Sequence, residues 1–227
     1  MSRIQLAKKK RAKHKRDPDI TRVAILEAAS ALLAIDGPEG LSLSQVANLA
    51  RVNRGTVYQH FQTREELLAA TTKEVSEKLC RAVFGDPTLA SDQGVDKIDA
   101  RGVVEHLAEF AMENPELGRV WLFELLSSSR PASDPFWKQY KSRFKWFAQS
   151  EFAQPGIDIE VHAVQTLIGV FLWPVWARAH VRSAKGRQQM AKRYSREVLR
   201  QSLHGTMRPE QYPELDAKAT NTNRGRS

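Results

Sequence analysis

The 227-residue sequence contains one cysteine, no alternating strand pattern and no long uninterrupted apolar run. Cys80 has no second cysteine to pair with, which excludes a fold held by disulfides within the chain. The longest purely apolar run, residues 167–177, has 11 residues, whereas a membrane-spanning helix needs about 20. The amino terminus lacks the apolar stretch of a secretory signal. We therefore expect a cytoplasmic protein that has no transmembrane helix.

Recognisable catalytic and metal-binding motifs are also missing. The sequence contains no His-Glu-x-x-His or Glu-x-x-His spacing, no Gly-rich phosphate loop and no Gly-x-Ser-x-Gly. The six histidines are scattered, and Cys80 is best interpreted as a small buried apolar residue. We therefore expect a protein that is not an enzyme and that binds neither a metal nor a cofactor.

Acidic residues are absent from the first 16 positions, which carry eight lysines and arginines. This arm accounts for most of the formal net charge of +9, since the remaining residues carry 27 basic and 26 acidic side chains. A charge block of this density repels itself, so we expect residues 1–16 to be a disordered basic arm that contacts nucleic acid. A solubilising tail and an anionic membrane surface are the alternatives.

The first ninety residues have helical rather than strand periodicity. Asp17-Pro18 is a helix-start signal, and residues 25–33 then place their apolar side chains on one face. Capping-box patterns begin at Ser42 and Thr63, and Asn53 can cap a short helix between them. Two short helices joined by a tight turn form a helix-turn-helix arrangement.

The second helix of this predicted pair, residues 54–61, has two different faces. Val57 and Phe61 can anchor one face to the core, while the other face carries hydrogen-bond donors. Such a helix suits the major groove of B-form DNA, where Arg54 or Gln59 could read base edges. Tyr58 suits phosphate oxygens, and so does His60, although packing within the domain is the alternative for both residues.

The segment GLSLSQVANLARVNRGTVYQHFQTREELL, residues 40–68, follows the helix ILEAASALLAIDG and resembles the DNA-binding domain of TetR-family transcriptional regulators. The resemblance covers about residues 19–75. It implies an all-α fold with an amino-terminal helix-turn-helix domain and a carboxyl-terminal helical bundle that binds ligand and forms a homodimer. It also implies which residues bind DNA: Ser42, Ser44, Arg54, Gly55, Thr56, Tyr58, Gln59, His60 and Arg64.

Arg51 departs from this family pattern, in which the turn between the two helices usually holds glycine. If the turn requires a positive φ, a side chain at this position costs about 1 kcal/mol. A contact between Arg51 and a DNA phosphate could compensate for that cost. The alternative is an exposed arginine that is merely strained.

The remainder of the chain also has helical periodicity. A Gly-, Pro-, Ser- and Asp-rich connection after residue 84 separates it from the first domain. We therefore expect a DNA-binding domain with a connecting helix at 17–84, a helical ligand-binding and dimerisation domain at 85–215, and a flexible tail at 216–227.

Aromatic residues are concentrated in this second domain, where the stretch from Phe110 to Trp176 holds 13 of the 18 aromatics. The concentration suits a pocket for a small hydrophobic or aromatic effector, and ordinary core packing is the alternative. The predicted lining consists of Phe110, Trp121, Trp137, Phe144, His162 and Phe171. The candidate partner-facing residues on the last two long helices are Leu167, Val170, Trp173 and Trp176 on one, and Tyr194, Val198 and Leu199 on the other. Closure of the monomer's own core is the alternative for these residues.

Together these features predict a sequence-specific DNA-binding transcriptional regulator. We expect a repressor whose homodimer binds a near-palindromic double-stranded operator and leaves it when a small effector binds. A constitutive or architectural DNA binder held mainly by the basic arm is the first alternative. An α-bundle enzyme or lipid carrier is the second.

Overall fold

The computed structural model describes residues 17–85 and 100–204, so the basic arm, the tail and most of the interdomain connection lie outside the described residues. Within the described residues all regular structure is helical, as the sequence predicts. Two short 3-10 turns occupy Pro38–Gly40 and Pro131–Ser133. The α-helices are α1 (Pro18–Asp36), α2 (Leu43–Leu49), α3 (Arg54–His60), α4 (Arg64–Phe84), α5 (Ala100–Glu113), α6 (Pro115–Ser127), α7 (Pro135–Ala148), α8 (Ile159–His180) and α9 (Ala184–His204).

Side-chain caps explain where most of these helices begin. The carboxylate of Asp17 accepts from the Asp19 amide at 3.0 Å at the start of α1. At the start of α8 the carboxylate of Asp158 accepts from the amides of Glu160 and Val161. Each cap satisfies an amide that has no partner within its helix, which fixes the first turn.

The buried side chains form two clusters. The first joins α1, α2, α3 and the start of α4, and it includes Ile25, Leu33, Val46, Val57 and Leu67. The second joins the rest of α4 to the carboxyl-terminal helices, and it includes Leu79, Leu107, Trp121, Phe136 and Phe171.

Helices α4 and α6 connect the two clusters. α4 is 21 residues long, about 32 Å, and places Leu67 in the first cluster and Leu79 in the second. α6 also joins the two clusters. Its adjacent residues Val120 and Trp121 pack in the first and the second cluster, respectively. The amino-terminal unit is therefore packed against the bundle through α1, which contacts α6.

Helix α8 is the most apolar of the described helices. It has 22 residues, and its most apolar window has a mean hydropathy of 1.3, so by length and composition alone it could cross a membrane. The 11-residue apolar run in the sequence did not predict this result. Polar residues such as His162 and Gln165 lie outside that run, but they lower the mean hydropathy of the longer helix only slightly. The observation is weak evidence, since core helices pass the same test, and α8 contacts α5, α6, α7 and α9.

Candidate DNA-binding surface and aromatic core

Helices α2 and α3 each begin at a side-chain cap within the helix-turn-helix unit. The Ser42 hydroxyl accepts from the Gln45 amide at 3.2 Å and donates to the Gln45 side-chain oxygen at 2.9 Å. The Asn53 side-chain oxygen accepts from both the amide and the hydroxyl of Thr56, at 2.7 and 2.9 Å. Both caps hold the first turn of a seven-residue helix that is too short to be stable alone.

Backbone hydrogen bonds close the turn between α2 and α3. The Val52 amide donates to the Ala47 carbonyl at 3.0 Å, and the Arg51 amide donates to the Asn48 carbonyl at 3.2 Å. This pair of bonds is the Schellman motif, whose penultimate residue takes a left-handed conformation. Arg51 occupies that position with a φ of 55°, so the positive φ considered from the sequence is present.

The two faces of α3 separate as the sequence predicts. Val57 is completely buried, and Phe61, which follows the helix, is nearly so. Tyr58 is 51% exposed, and Arg54, Gly55 and Gln59 are exposed with it. Of the predicted DNA-binding residues, those that are half-buried are Ser42, Ser44, Thr56, His60 and Arg64. α3 therefore exposes a polar face and buries Val57, while the predicted DNA-binding residues of α2 and α4 stay partly accessible.

Arg64 makes protein contacts that the sequence did not reveal. Its guanidinium donates from Nε to the Leu41 carbonyl at 3.0 Å and from a terminal nitrogen to the Pro38 carbonyl. It also lies 3.7 Å from the carboxylate of Glu65. These bonds tie the start of α4 to the segment before α2, so Arg64 positions the helix-turn-helix unit. A phosphate contact from the same side chain stays a prediction.

Sequence reasoning missed Arg22 as a member of this surface. Its guanidinium lies over the Phe61 ring, 5.0 Å from the ring centroid, and the side chain is exposed. The periodicity of α1 marks only the apolar face of that helix, so it gave no sign that Arg22 reaches the end of α3.

The aromatic residues predicted to line a pocket fall into two groups. The Phe171 ring lies 5.1 Å from the Trp121 ring and 6.5 Å from the Phe110 ring, measured between centroids. Phe144 stacks on His162 at 4.4 Å, and partial burial lowers the pKa of His162 from its ordinary value. Trp137 is also buried in the second cluster. Phe171 packs on Trp121 and Phe110, and Phe144 packs on His162. A role of any of the six residues in binding a ligand stays a prediction.

A cavity of about 720 Å³ lies elsewhere, between α5 and α9. None of the six predicted pocket residues lines it. Its lining includes Glu105, Glu109, Lys192, Arg196, Leu199 and Leu203. Six of its eleven lining residues are lysine, arginine or glutamate, whereas the pocket expected from the aromatic content is lined by aromatic side chains.

Asp134 is a partly buried residue whose carboxylate accepts hydrogen bonds from side chains of the aromatic core. Its carboxylate accepts from Trp121 Nε1 at 3.0 Å, from the Ser76 hydroxyl at 2.9 Å and from the Trp137 amide at 2.8 Å. The Ser76 hydroxyl in turn accepts from the Phe136 amide at 2.9 Å. These bonds make Asp134 the junction of α4, α6 and α7.

The described residues contain no cluster of three or more histidine, cysteine, aspartate or glutamate side chains that could hold a metal ion. Cys80 is buried, and burial together with the nearby Asp134 carboxylate raises the pKa of its thiol to about 11. The thiol is therefore protonated at neutral pH, which makes it a poor nucleophile.

Residues 25–71 match the family model described as bacterial regulatory proteins, tetR family. The chain has a TetR-family domain. This match confirms the resemblance seen in the sequence and assigns the α1–α4 unit to a known class.

Relatives of the TetR-type domain extend the comparison. The HTH-type transcriptional repressor Rv3405c of Mycobacterium tuberculosis is 31% identical over 116 residues, which cover 49% of this chain and 60% of the relative. The chain therefore spans less than two thirds of this curated relative.

Solved structures share the fold over most of the chain. AibR, solved with isovaleryl coenzyme A and operator DNA, has a TM-score of 0.56 and 22% identity, covering 77% of this chain and 96% of AibR. FadR from Bacillus subtilis, solved with stearoyl-CoA, has a TM-score of 0.58 and 18% identity, covering 82% of this chain and 100% of FadR. At these identities the likeness establishes the fold of the bundle as well as of the TetR-type domain.

Proposed function

We propose that this protein is a sequence-specific transcriptional repressor that binds a near-palindromic operator as a homodimer and is released by a small-molecule effector. The observation that carries the proposal is the form of α3 within a TetR-type domain. One face is anchored by Val57 and Phe61, and the other exposes polar side chains. A rigid helix of this kind fits the major groove.

Within this proposal the polar side chains of α3 divide into two roles. Arg54 and Gln59 read base edges, because both are exposed and carry donors that match base acceptors. Tyr58 and His60 bind phosphates and set the register of the helix. Ser42, Ser44 and Thr56 support the same surface from the starts of α2 and α3, while Gly55 permits close approach.

A homodimer is part of the proposal because two recognition helices must reach successive major grooves about 34 Å apart. The supporting feature is an exposed apolar stripe on α8. It consists of Val161, Leu172, Val175 and Trp176. Leu167 and Val170, which the sequence suggested for the partner face, are buried in this subunit's own core and are unsuited to that role.

We propose a hydrophobic effector that binds in the bundle near Trp121 and Phe171. AibR and FadR, which share the fold, were solved with acyl-CoA molecules, and this favours an acyl compound over a purely aromatic one. The rings now in contact must separate to admit it. Movement there would reach the DNA-binding unit through α6 and α4, which pack in both clusters. The effector releases the protein from DNA only if it binds the bundle more tightly in the released arrangement than in the DNA-bound arrangement.

The proposal also covers the domain bounds, the cellular location and the class of the protein. We assign residues 17–84 to DNA binding and 85–215 to effector binding and dimerisation, with basic-arm and tail segments at 1–16 and 216–227. The protein acts in the cytoplasm, where its DNA target lies. Relatives that are transcriptional regulators favour this reading over an enzyme.

Selection of bound genomic fragments followed by footprinting tests the proposal. We expect protection of two half-sites whose centres lie about 34 Å apart, or a multiple of that distance, because two identical α3 helices bind one face of the duplex. Equal affinity for selected and random duplexes at moderate salt, with and without acyl compounds, would contradict the proposal.

The variant Tyr58→Ala provides the matching control for that experiment. Tyr58 is 51% exposed, so its removal leaves the core intact. We expect weaker operator binding with an unchanged unfolding midpoint. Trp146→Ala removes a comparably exposed aromatic side chain from α7 and is expected to leave operator binding unchanged.

A further inference from the structure

The turn before α3 contains a feature that the fold itself does not require. Arg51 is the residue of the Schellman turn that takes a left-handed conformation, and it is the only non-glycine residue with positive φ in the described part of the chain. Glycine is preferred there because a Cβ atom crowds the backbone, and asparagine is the usual substitute. An arginine at this position lowers the stability of the turn.

The guanidinium of Arg51 makes no compensating contact within the described part of the protein. Arg51 is exposed, and its guanidinium has no hydrogen bond, ion pair or ring contact with any residue in the described ranges 17–85 and 100–204. Val52, the next residue, packs against the first core and fixes where the turn lies. The cost of the left-handed arginine is therefore not offset by a contact within the described part of the subunit.

The position of the turn suggests where the compensation comes from. Arg51 precedes Arg54 by three residues, so their Cα atoms are at most about 11 Å apart. Both side chains are exposed beside the polar surface of α3. Strained non-glycine residues occur preferentially at functional sites, where an interaction outside the local backbone retains them.

We propose that Arg51 binds a phosphate of the operator backbone. This inference rests on the proposed DNA-binding function and adds a residue to it. The guanidinium is planar and always charged, and its paired N–H groups match two phosphate oxygens. The left-handed conformation of Arg51 thus lowers the stability of the free protein, while the phosphate contact raises its affinity for DNA.

Four variants of the full-length protein test the inference against the footprinted operator and a random duplex. Arg51→Gly removes both the strain and the charge, and Arg51→Ala removes the charge but keeps the left-handed side chain. Arg51→Lys keeps the charge. Lys138→Ala removes an exposed positive charge from α7 and controls for net charge.

We expect opposite changes in stability and affinity for Arg51→Gly. Its unfolding midpoint rises by about 2–4 °C because the strain is relieved. Its affinity falls about tenfold for both duplexes. The slope of log affinity against log salt concentration becomes shallower by about 0.9 per bound subunit, because each subunit loses one phosphate contact. Arg51→Ala loses the same affinity without gaining stability. Arg51→Lys keeps the charge but cannot pair two N–H groups with one phosphate, so it loses a smaller part of that affinity. Lys138→Ala binds nearly as well as the wild type.

Two results would overturn the inference while leaving the proposed function intact. One is Arg51→Gly with higher stability and unchanged affinity and salt dependence, which would make Arg51 merely strained. The other is a changed base preference without a changed salt dependence, which would make it a base contact. A wild-type protein that prefers no duplex sequence would instead contradict the proposed function.

Discussion

At the scale of single residues, Asp134 has the largest set of structural roles. Its carboxylate caps α7 and accepts hydrogen bonds from side chains of α4 and α6. Trp121 and Ser76, the two side-chain donors, are almost fully buried. Removal of the acceptor would leave polar groups without partners in an apolar surrounding, which costs more than the loss of an exposed hydrogen bond.

We therefore expect Asp134→Ala to lower the free energy of unfolding by about 2–4 kcal/mol, because buried donors lose their acceptor and α7 loses its cap. Asp158→Ala is the matched control, since Asp158 caps α8 at an exposed position. The control is expected to cost about 1 kcal/mol. Urea unfolding followed by circular dichroism measures both values, and equal losses would contradict the role of the buried network.

At the scale of helices, the sequence predicted most of the architecture. Caps at Asp17, Ser42, Asn53 and Thr63 lie where local rules place them, because a cap depends on neighbours only a few residues away. The all-α class and the TetR-type domain were predicted for the same reason: helical periodicity and the family motif are both local patterns.

Properties that depend on distant contacts were not predictable. Residues 167–177 of α8 are apolar around the whole circumference of the helix, so periodicity could not distinguish the buried Leu167 and Val170 from the exposed Leu172 and Val175. The contacts of Arg64 join residues 23 and 26 positions apart, and no local pattern contains such a pairing. The packing of the aromatic rings depends on the bundle in the same way.

The contacts of Arg64 lead to a prediction for α4. We expect Arg64→Lys to lower the free energy of unfolding by about 1–2 kcal/mol, because one ammonium cannot reproduce the geometry of the two bonds to the carbonyls of Leu41 and Pro38. Operator affinity falls as well, since the start of α4 no longer holds the segment before α2. Denaturant unfolding and operator titration measure the two effects.

Arg200→Lys is the control for this change. Arg200 pairs with Glu197 on an exposed surface of α9, where lysine can replace it with little loss. We expect no measurable change in stability or DNA binding for this variant. Arg64→Lys with unchanged stability and weaker DNA binding would show that Arg64 acts only as a phosphate contact.

At the scale of the whole molecule, α4 and α6 connect the two buried clusters, because each helix contributes side chains to both. Trp121 sits in the second cluster one residue after Val120 in the first, and Asp134 ties Trp121 to α4 through Ser76. A change around Trp121 therefore has a short path to the helix that carries the DNA-binding unit. This arrangement is what an effector-responsive repressor needs, because the effector must alter the spacing of the two recognition helices.

The exposed stripe on α8 gives the prediction for assembly. Val175 and Leu172 are 57% and 38% exposed, and glutamates at both positions would place charges in the proposed apolar interface. We expect the double variant Leu172→Glu and Val175→Glu to be a folded monomer by sedimentation and to lose specific operator binding, because one recognition helix reads only one half-site. Phe123→Glu on α6 changes a side chain that is 56% exposed, and it is expected to leave the dimer intact. A dimeric double variant would place the subunit interface elsewhere, since buried glutamates at the centre of an apolar contact separate subunits rather than join them.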